Sequence, residues 1–251
     1  MFKSYETIFD TRGDSYNQAT AMCPNARYTE RQLLLDKLNL KTGLSLCDIP
    51  AGGGYVVDGI AAKLRKTMDI ICIEPSFNFA QGLHKHHPCI VSKFNFIPFS
   101  NNSFDRVSSL AGIHHLDNKQ LFFNDVSRIL KSNGLFVVAD VQIDTPPAFF
   151  LNDAVDRLTE TGHDGVFLEP GELTKRLKEA GFKNITEESI NFTWNFPNEK
   201  TLVQFCHQLF CLSKATYNEV KNEIDNALQV IINNEGAKLA WSLIYACGKK
   251  K

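Results

Sequence analysis

The sequence predicts an α/β fold, a mostly parallel sheet with helices on both faces. Three observations carry that prediction. Apolar runs of strand length alternate with helical stretches from Leu44 to Val141. The first run enters a turn of three successive glycines, Gly52 to Gly54, and an acid, Glu74, ends the next run. Beyond residue 142 the pattern changes to two long segments with alternating, aromatic-rich faces, Ile185–Phe196 and Leu239–Cys247. Strand, helix and strand in such short succession close as a right-handed crossover, which makes the pairing parallel and covers both faces of the sheet.

Taken in order, residues 1–43 form a helical preface. Pro24 is placed at a helix start, and Leu33, Leu34, Leu38 and Leu40 give an apolar stripe that ends at Gly43. Tyr5, Phe9 and Tyr16 either close over a pocket or pack on the surface of the core. Leu44–Ile49 is the first strand, and Tyr55–Lys66 is a helix with Val57, Ile60, Ala61 and Leu64 on one face. Met68–Ile73 is the second strand, residues 77–87 a weaker helix, Cys89–Val91 the third strand and Phe104–Leu110 the fourth. Asp117-x-x-Gln120 fits a capping box for the next helix, and Leu135–Val141 is the fifth strand after Gly134. Residues 145–165 read as a connector, with Pro146-Pro147 and a loop around His163. Glu172–Ala180 is a helix stopped by Gly181. Between the two long strands lie two helices, the second carrying the box Thr216-x-x-Glu219, the stripe Val220, Ile224, Leu228 and Ile231, and a stop at Gly236.

Composition excludes several classes. With 251 residues, 43% hydrophobic, 22% charged and a net charge of -1, the chain suits one globular domain and offers no basic track for a polyanion. No run approaches the ~20 apolar residues of a membrane span. The opening residues contain no apolar core of signal-peptide length, so a cytoplasmic, reduced protein is expected. The seven cysteines include no C-x-x-C pair, and no metal ligands are assigned. Cys206 and Cys211 are read as helix packing.

Glycine packs nothing and costs chain entropy, so three in a row at a strand-to-helix junction imply a backbone that must lie close to a ligand. A helix N-terminus there suits a nucleotide, and a carboxylate on the neighbouring strand accepts two sugar hydroxyls. The dinucleotide fingerprint requires a third glycine where this chain has Val57, which weakens a nicotinamide reading.

Asp48-Ile-Pro-Ala-Gly-Gly-Gly54 resembles the first motif of class I S-adenosylmethionine-dependent methyltransferases, D-x-G-x-G-x-G. Ile97-Pro-Phe-Ser-Asn-Asn-Ser-Phe-Asp105, His114-His-Leu116 and Arg128-Ile-Leu-Lys-Ser-Asn-Gly134 are similar to the small-molecule branch of that family, which includes the quinone C-methyltransferases. The four motifs occur in the family's order over residues 44–142. The resemblance implies a Rossmann-like, seven-stranded sheet whose last strand is antiparallel, with a helical insertion at about 197–237 before that strand. It divides a single domain, 1–251, into a preface (1–43), a cofactor half (44–142) and a substrate half (143–251). It implies S-adenosyl-L-methionine as cofactor, held by Asp48, Pro50, Ala51, Gly52, Gly54, Glu74, Pro75 and Leu110. Pro50 departs from the motif's first glycine and gives up an N–H donor. Lys93 stands where the family often has an adenine-binding Asp, so Phe94 and Asn95 are the adenine candidates.

The implied activity is methyl transfer to a small-molecule O, N or C nucleophile by in-line displacement. His115, His114 and Asp140 are the catalytic candidates, because they end the fourth and fifth strands at the edge where such sheets bind ligands, and a histidine can take a proton near neutral pH. His163 is a weaker candidate in the connector. A non-catalytic adenosylmethionine-binding regulatory or assembly protein is the alternative. Nucleic-acid methylation is disfavoured by the balanced charge and the absence of an N/D-P-P-Y motif.

Overall fold

The computed structural model describes residues 4–64, 68–83 and 87–251. The parallel core alternates β1 (Ser45–Asp48), α3 (Tyr55–Leu64), β2 (Asp69–Glu74), α4 (Phe77–Leu83), β3 (Cys89–Val91), β4 (Phe104–Leu110), α5 (Lys119–Ile129) and β5 (Leu130–Asp140). Two helices precede it, α1 (Tyr5–Met22) and α2 (Tyr28–Lys37). After β5, the short helices α6 (Pro146–Phe150) and α7 (Asp156–Leu158) are joined through a wider helical turn, Leu151–Val155. Then come α8 (Glu172–Glu179), β6 (Phe182–Phe196), α9 (Glu199–Leu209), α10 (Tyr217–Ala227), β7 (Val230–Asn233) and β8 (Gly236–Lys250).

The strand order is β3-β2-β1-β4-β5-β8-β6, with β7 hairpinned onto β8. The first five strands are parallel. β8 runs antiparallel to both β5 and β6, as expected for the last strand. The sheet has eight strands rather than seven because Leu228 takes an extended conformation and ends α10. Ile231, assigned by phase to the helix, therefore lies in β7, and Gly236 opens β8 at the hairpin instead of closing a helix.

Period-two alternation splits the core onto the two faces. Val137 and Ala139 face one layer together with Leu243 and Tyr245, while Phe136 and Val138 face the other with Ile244 and Ala246.

Other boundaries moved for identifiable reasons. Pro24 sits in the turn between α1 and α2, not at a helix start. α5 is capped by Asn118, whose side chain accepts from the Gln120 backbone N–H, so Asp117 forms no capping box. The connector is helical from Pro146, where Thr145 caps the Ala148 N–H and proline fits the first turn. The helix assigned to 77–87 is seen as Phe77–Leu83, and residues 84–86 lie outside the described residues, as does Lys66. Among the described residues no helix is long and apolar enough to cross a membrane.

Candidate active site

Crossovers leave β1 and β4 in opposite directions, so the sheet's switch point lies between their carboxyl ends. The glycine turn sits there. Gly52 (φ +55°) and Gly54 (φ +96°) are in the left-handed region, where a side chain would be strained. They are also covered closely: a Cβ on Gly52 would lie 3.1 Å from the Phe79 ring, and one on Gly53 would run into the Asn17 amide of α1.

Two buried acids flank the turn. Asp48 ends β1 and accepts a hydrogen bond from Ser108 Oγ at 2.6 Å, but its Oδ2 is buried without a partner. Burial pushes this carboxyl up to about 7. Glu74 ends β2, fully buried, and accepts from the Gly52 N–H (2.7 Å), the Ser76 N–H (2.9 Å) and the Tyr5 hydroxyl (3.1 Å). Burial pushes it up to about 8 against those donors. Tyr5 therefore occupies one acceptor position of Glu74.

The crevice beside the turn is lined by Pro50, Ala51, Gly52 and Leu110, and Tyr5, Phe9 and Tyr16 close over it from α1, leaving about 40 Å³ of free space. Both readings of these aromatics hold: all three line the crevice, and Tyr5 belongs to the buried core, with Phe9 and Tyr16 packed against it. Pro75 and Phe94 are buried nearby, with the Phe94 ring edge-on to Tyr5 at 5.1 Å. Asn95 does not join them; its side chain is exposed. The residues present suit a nucleoside cofactor: an unpartnered buried acceptor, a bare backbone turn and a strand-end acid. Tyr5 must yield for a sugar to reach Glu74.

A second cleft, with about 80 Å³ of free space, adjoins the first, and Phe9, Tyr16, Arg27 and Ala111 line both. Its wall is aromatic: Trp194 and Trp241 stack at 4.3 Å, and Phe210 stacks on both. Behind it Glu30 is fully buried, paired with Arg27 and accepting from Trp194 Nε1 at 2.8 Å.

The end nearest β4 and β5 carries imidazoles. His114 Nδ1 donates to Asp140 Oδ1 at 2.6 Å, and Asp140 also accepts from the backbone N–H groups of Ile113, His114 and Val141. Burial alone would raise the Asp140 carboxyl, but His114 and these donors outweigh it and hold it below the usual range. His115 and His163 stand beside His114 and are both held well below 6.5, chiefly by burial.

Arg12 reaches the same end. It is 4% exposed, donates to Thr159 Oγ1 (2.7 Å) and the Gly162 carbonyl (2.5 Å), and leaves Nε unpartnered. Burial lowers it to about 10.

Thus His114, His115 and Asp140 converge as the sequence reading placed them, and His163 joins them from the connector. Arg12, the Arg27–Glu30 pair and the hydrogen bond from Tyr5 to Glu74 were missed. Their only signal was charge and hydroxyl within helical stretches otherwise read as packing.

Residues 47–138 match the family model described as a methyltransferase domain. The chain is 25% identical over 144 residues to a demethylmenaquinone methyltransferase of Corynebacterium efficiens, covering 57% of this chain and 62% of that protein. It is 30% identical over 138 residues to a sarcosine/dimethylglycine N-methyltransferase of Aphanothece halophytica, covering 50% and 48%. The matches thus span less than two thirds of either relative. Among solved structures, phosphoethanolamine N-methyltransferase 2 of Haemonchus contortus in complex with S-adenosyl-L-methionine aligns with a TM-score of 0.66 at 17% identity, over 99% of this chain and 60% of that one. Residues 47–138 thus match a methyltransferase domain, and the fold around them is Rossmann-like.

Proposed function

We propose that the protein is an S-adenosylmethionine-dependent methyltransferase acting on a small-molecule acceptor. The observation that carries the reading is the continuity of the two clefts. A nucleoside-type crevice at the switch point shares its wall with an aromatic cleft that ends in imidazoles.

The whole chain is read as one domain, with the crevice built from 44–142 and much of the acceptor wall from 143–251. Asp48, Ala51, Gly52, Gly54 and Glu74 hold the cofactor, with Pro50, Pro75, Phe94 and Leu110 packed around it. Bound there, adenosylmethionine would supply an electrophilic methyl on a sulfonium sulfur, open to in-line attack by an acceptor lone pair with the demethylated thioether as leaving group. The protein's task is then alignment.

Trp194, Trp241 and Phe210 offer flat apolar faces to a planar or apolar acceptor. Arg12, with a free N–H in the cleft, favours one that carries an anionic or ionisable oxygen. An acceptor proton goes to the imidazole cluster. Asp140 fixes His114 with its proton on Nδ1, leaving the Nε2 lone pair to take it. His115 Nδ1, buried and unpartnered, is the second acceptor there.

The test is transfer of labelled methyl from the cofactor into a small-molecule fraction, paired with calorimetric titration by the demethylated cofactor. Tight binding with labelled product supports the reading; tight binding with none, across a broad metabolite set, favours a non-catalytic binding protein. His114→Ala is expected to lower turnover about 100-fold or more while cofactor affinity stays within about twofold. Unchanged turnover would remove His114 as the base.

A further inference from the structure

We propose that His114, His115 and His163 form a site for one divalent transition-metal ion, with an open coordination position facing the acceptor cleft. One ring nitrogen of each lies within 4.8 Å of the other two, and all three side chains are buried and line the same cleft. The site stands on its own geometry; an ion held there takes the same imidazole lone pairs that would otherwise accept a proton, so metal binding and proton uptake by this cluster are alternative uses of it.

The hydrogen bonds around the cluster decide where its lone pairs are. Asp140 can only accept, so His114 carries its proton on Nδ1 and presents Nε2 bare. Asn152 is held in one orientation by Gly165: its Nδ2 donates to the Gly165 carbonyl and its Oδ1 accepts from the Gly165 N–H, both at 2.9 Å. That Oδ1 also accepts from His163 Nδ1 at 2.9 Å, so His163 too presents a bare Nε2. His115 Nδ1 is buried with no partner. A carboxylate stands behind His114 and an amide oxygen behind His163, which is how proteins fix ligand tautomers at metal centres, while His115 Nδ1 has no such partner.

Imidazole nitrogens select Zn²⁺, Co²⁺, Ni²⁺ or Fe²⁺ over Mg²⁺ and Ca²⁺. Three protein ligands leave the fourth position of a tetrahedral ion open. Ligand nitrogens about 2.0–2.1 Å from zinc must come closer together than 4.8 Å, so the rings draw in around the ion. Arg12, beside the cluster, disfavours a bare cation but favours an anionic ligand on its open position. The ion and Arg12 together therefore select an acceptor with an ionisable oxygen.

The test is calorimetric titration of the chelator-stripped full chain with Zn²⁺, and with Co²⁺ under visible spectroscopy. One ion per chain with a Kd in the micromolar range or below is expected, and a four-coordinate cobalt spectrum without the strong thiolate charge-transfer bands that the free cysteines would give. His163→Phe keeps a ring against Phe167 and is expected to weaken binding at least 100-fold. Asp140→Asn, acting through His114, should weaken it about 10–100-fold, and His207→Ala, outside the cluster, should leave it unchanged. No stoichiometric ion up to millimolar metal, equal affinity in His163→Phe, or thiolate bands in the cobalt spectrum would each overturn the site. Because the readout is the metal itself, failure of methyl transfer leaves the result standing.

Discussion

At Glu74 one carboxyl serves both the fold and the expected ligand. Buried under Tyr5, its protonated form is the one the folded chain favours, with a pKa raised from about 4.5 to about 8. Its contribution to stability is whole below about pH 4.5 and is lost as pH climbs toward about 8, at about 1.4 kcal/mol for each unit of upward shift. Asp48 acts in the same sense up to about 7. His115 and His163, held low by burial, act in the opposite sense below about pH 6.5, so the expected signature is in the comparison: without cofactor, the melting temperature of Glu74→Gln should gain on that of the wild type as pH rises across this window. A difference that stays constant with pH would contradict this account. Glu74 itself was legible in the sequence, since an acid ending an apolar strand after a glycine turn has few other purposes. Its hydrogen bond from Tyr5 was not, because a contact spanning 69 positions leaves no periodic trace.

Among the elements, α1 departs furthest from its expected part. The preface was read as helical, yet its Asn17 lies directly over Gly53, and its Tyr5, Phe9 and Tyr16 complete the crevice. Gly53→Ala would drive a methyl into the Asn17 amide, and overpacking of this kind costs about 1–3 kcal/mol. Combining it with Asn17→Ala should recover most of that loss in chemical denaturation. An equal loss in both backgrounds would place the strain elsewhere. The parallel core was readable because each strand and helix there keeps its own period. The end of α10 was not, because Ile231 continues the helical phase of Val220, Ile224 and Leu228 and only pairing with β8 draws it into a strand. The helix at Pro146 was hidden by its two prolines, which normally punctuate but here fill a first turn behind Thr145.

Across the whole molecule, the fold class followed from alternation and motif order, while the site's composition depended on chain segments brought together from afar. Arg12 is held by Thr159 and Gly162, and His163 reaches His114 and His115 from beyond β5. No local pattern announces such meetings, and spacing in the sequence does not record which loops share a sheet edge.

One helix roofs two compartments, and that has a cost for independence. A sugar that claims Glu74 must turn Tyr5 aside, and the Tyr5 ring lies tilted against Phe9, 4.4 Å between centroids, which also faces the aromatic chamber next door. The two guests therefore cannot be indifferent to each other: whichever arrives first resets the ceiling above the second, and reciprocity requires the second to tighten or loosen the first by the same factor. Titrating the demethylated cofactor with and without a saturating acceptor would read that factor directly. Tyr5→Phe, which leaves Glu74 without its rival donor, should change it.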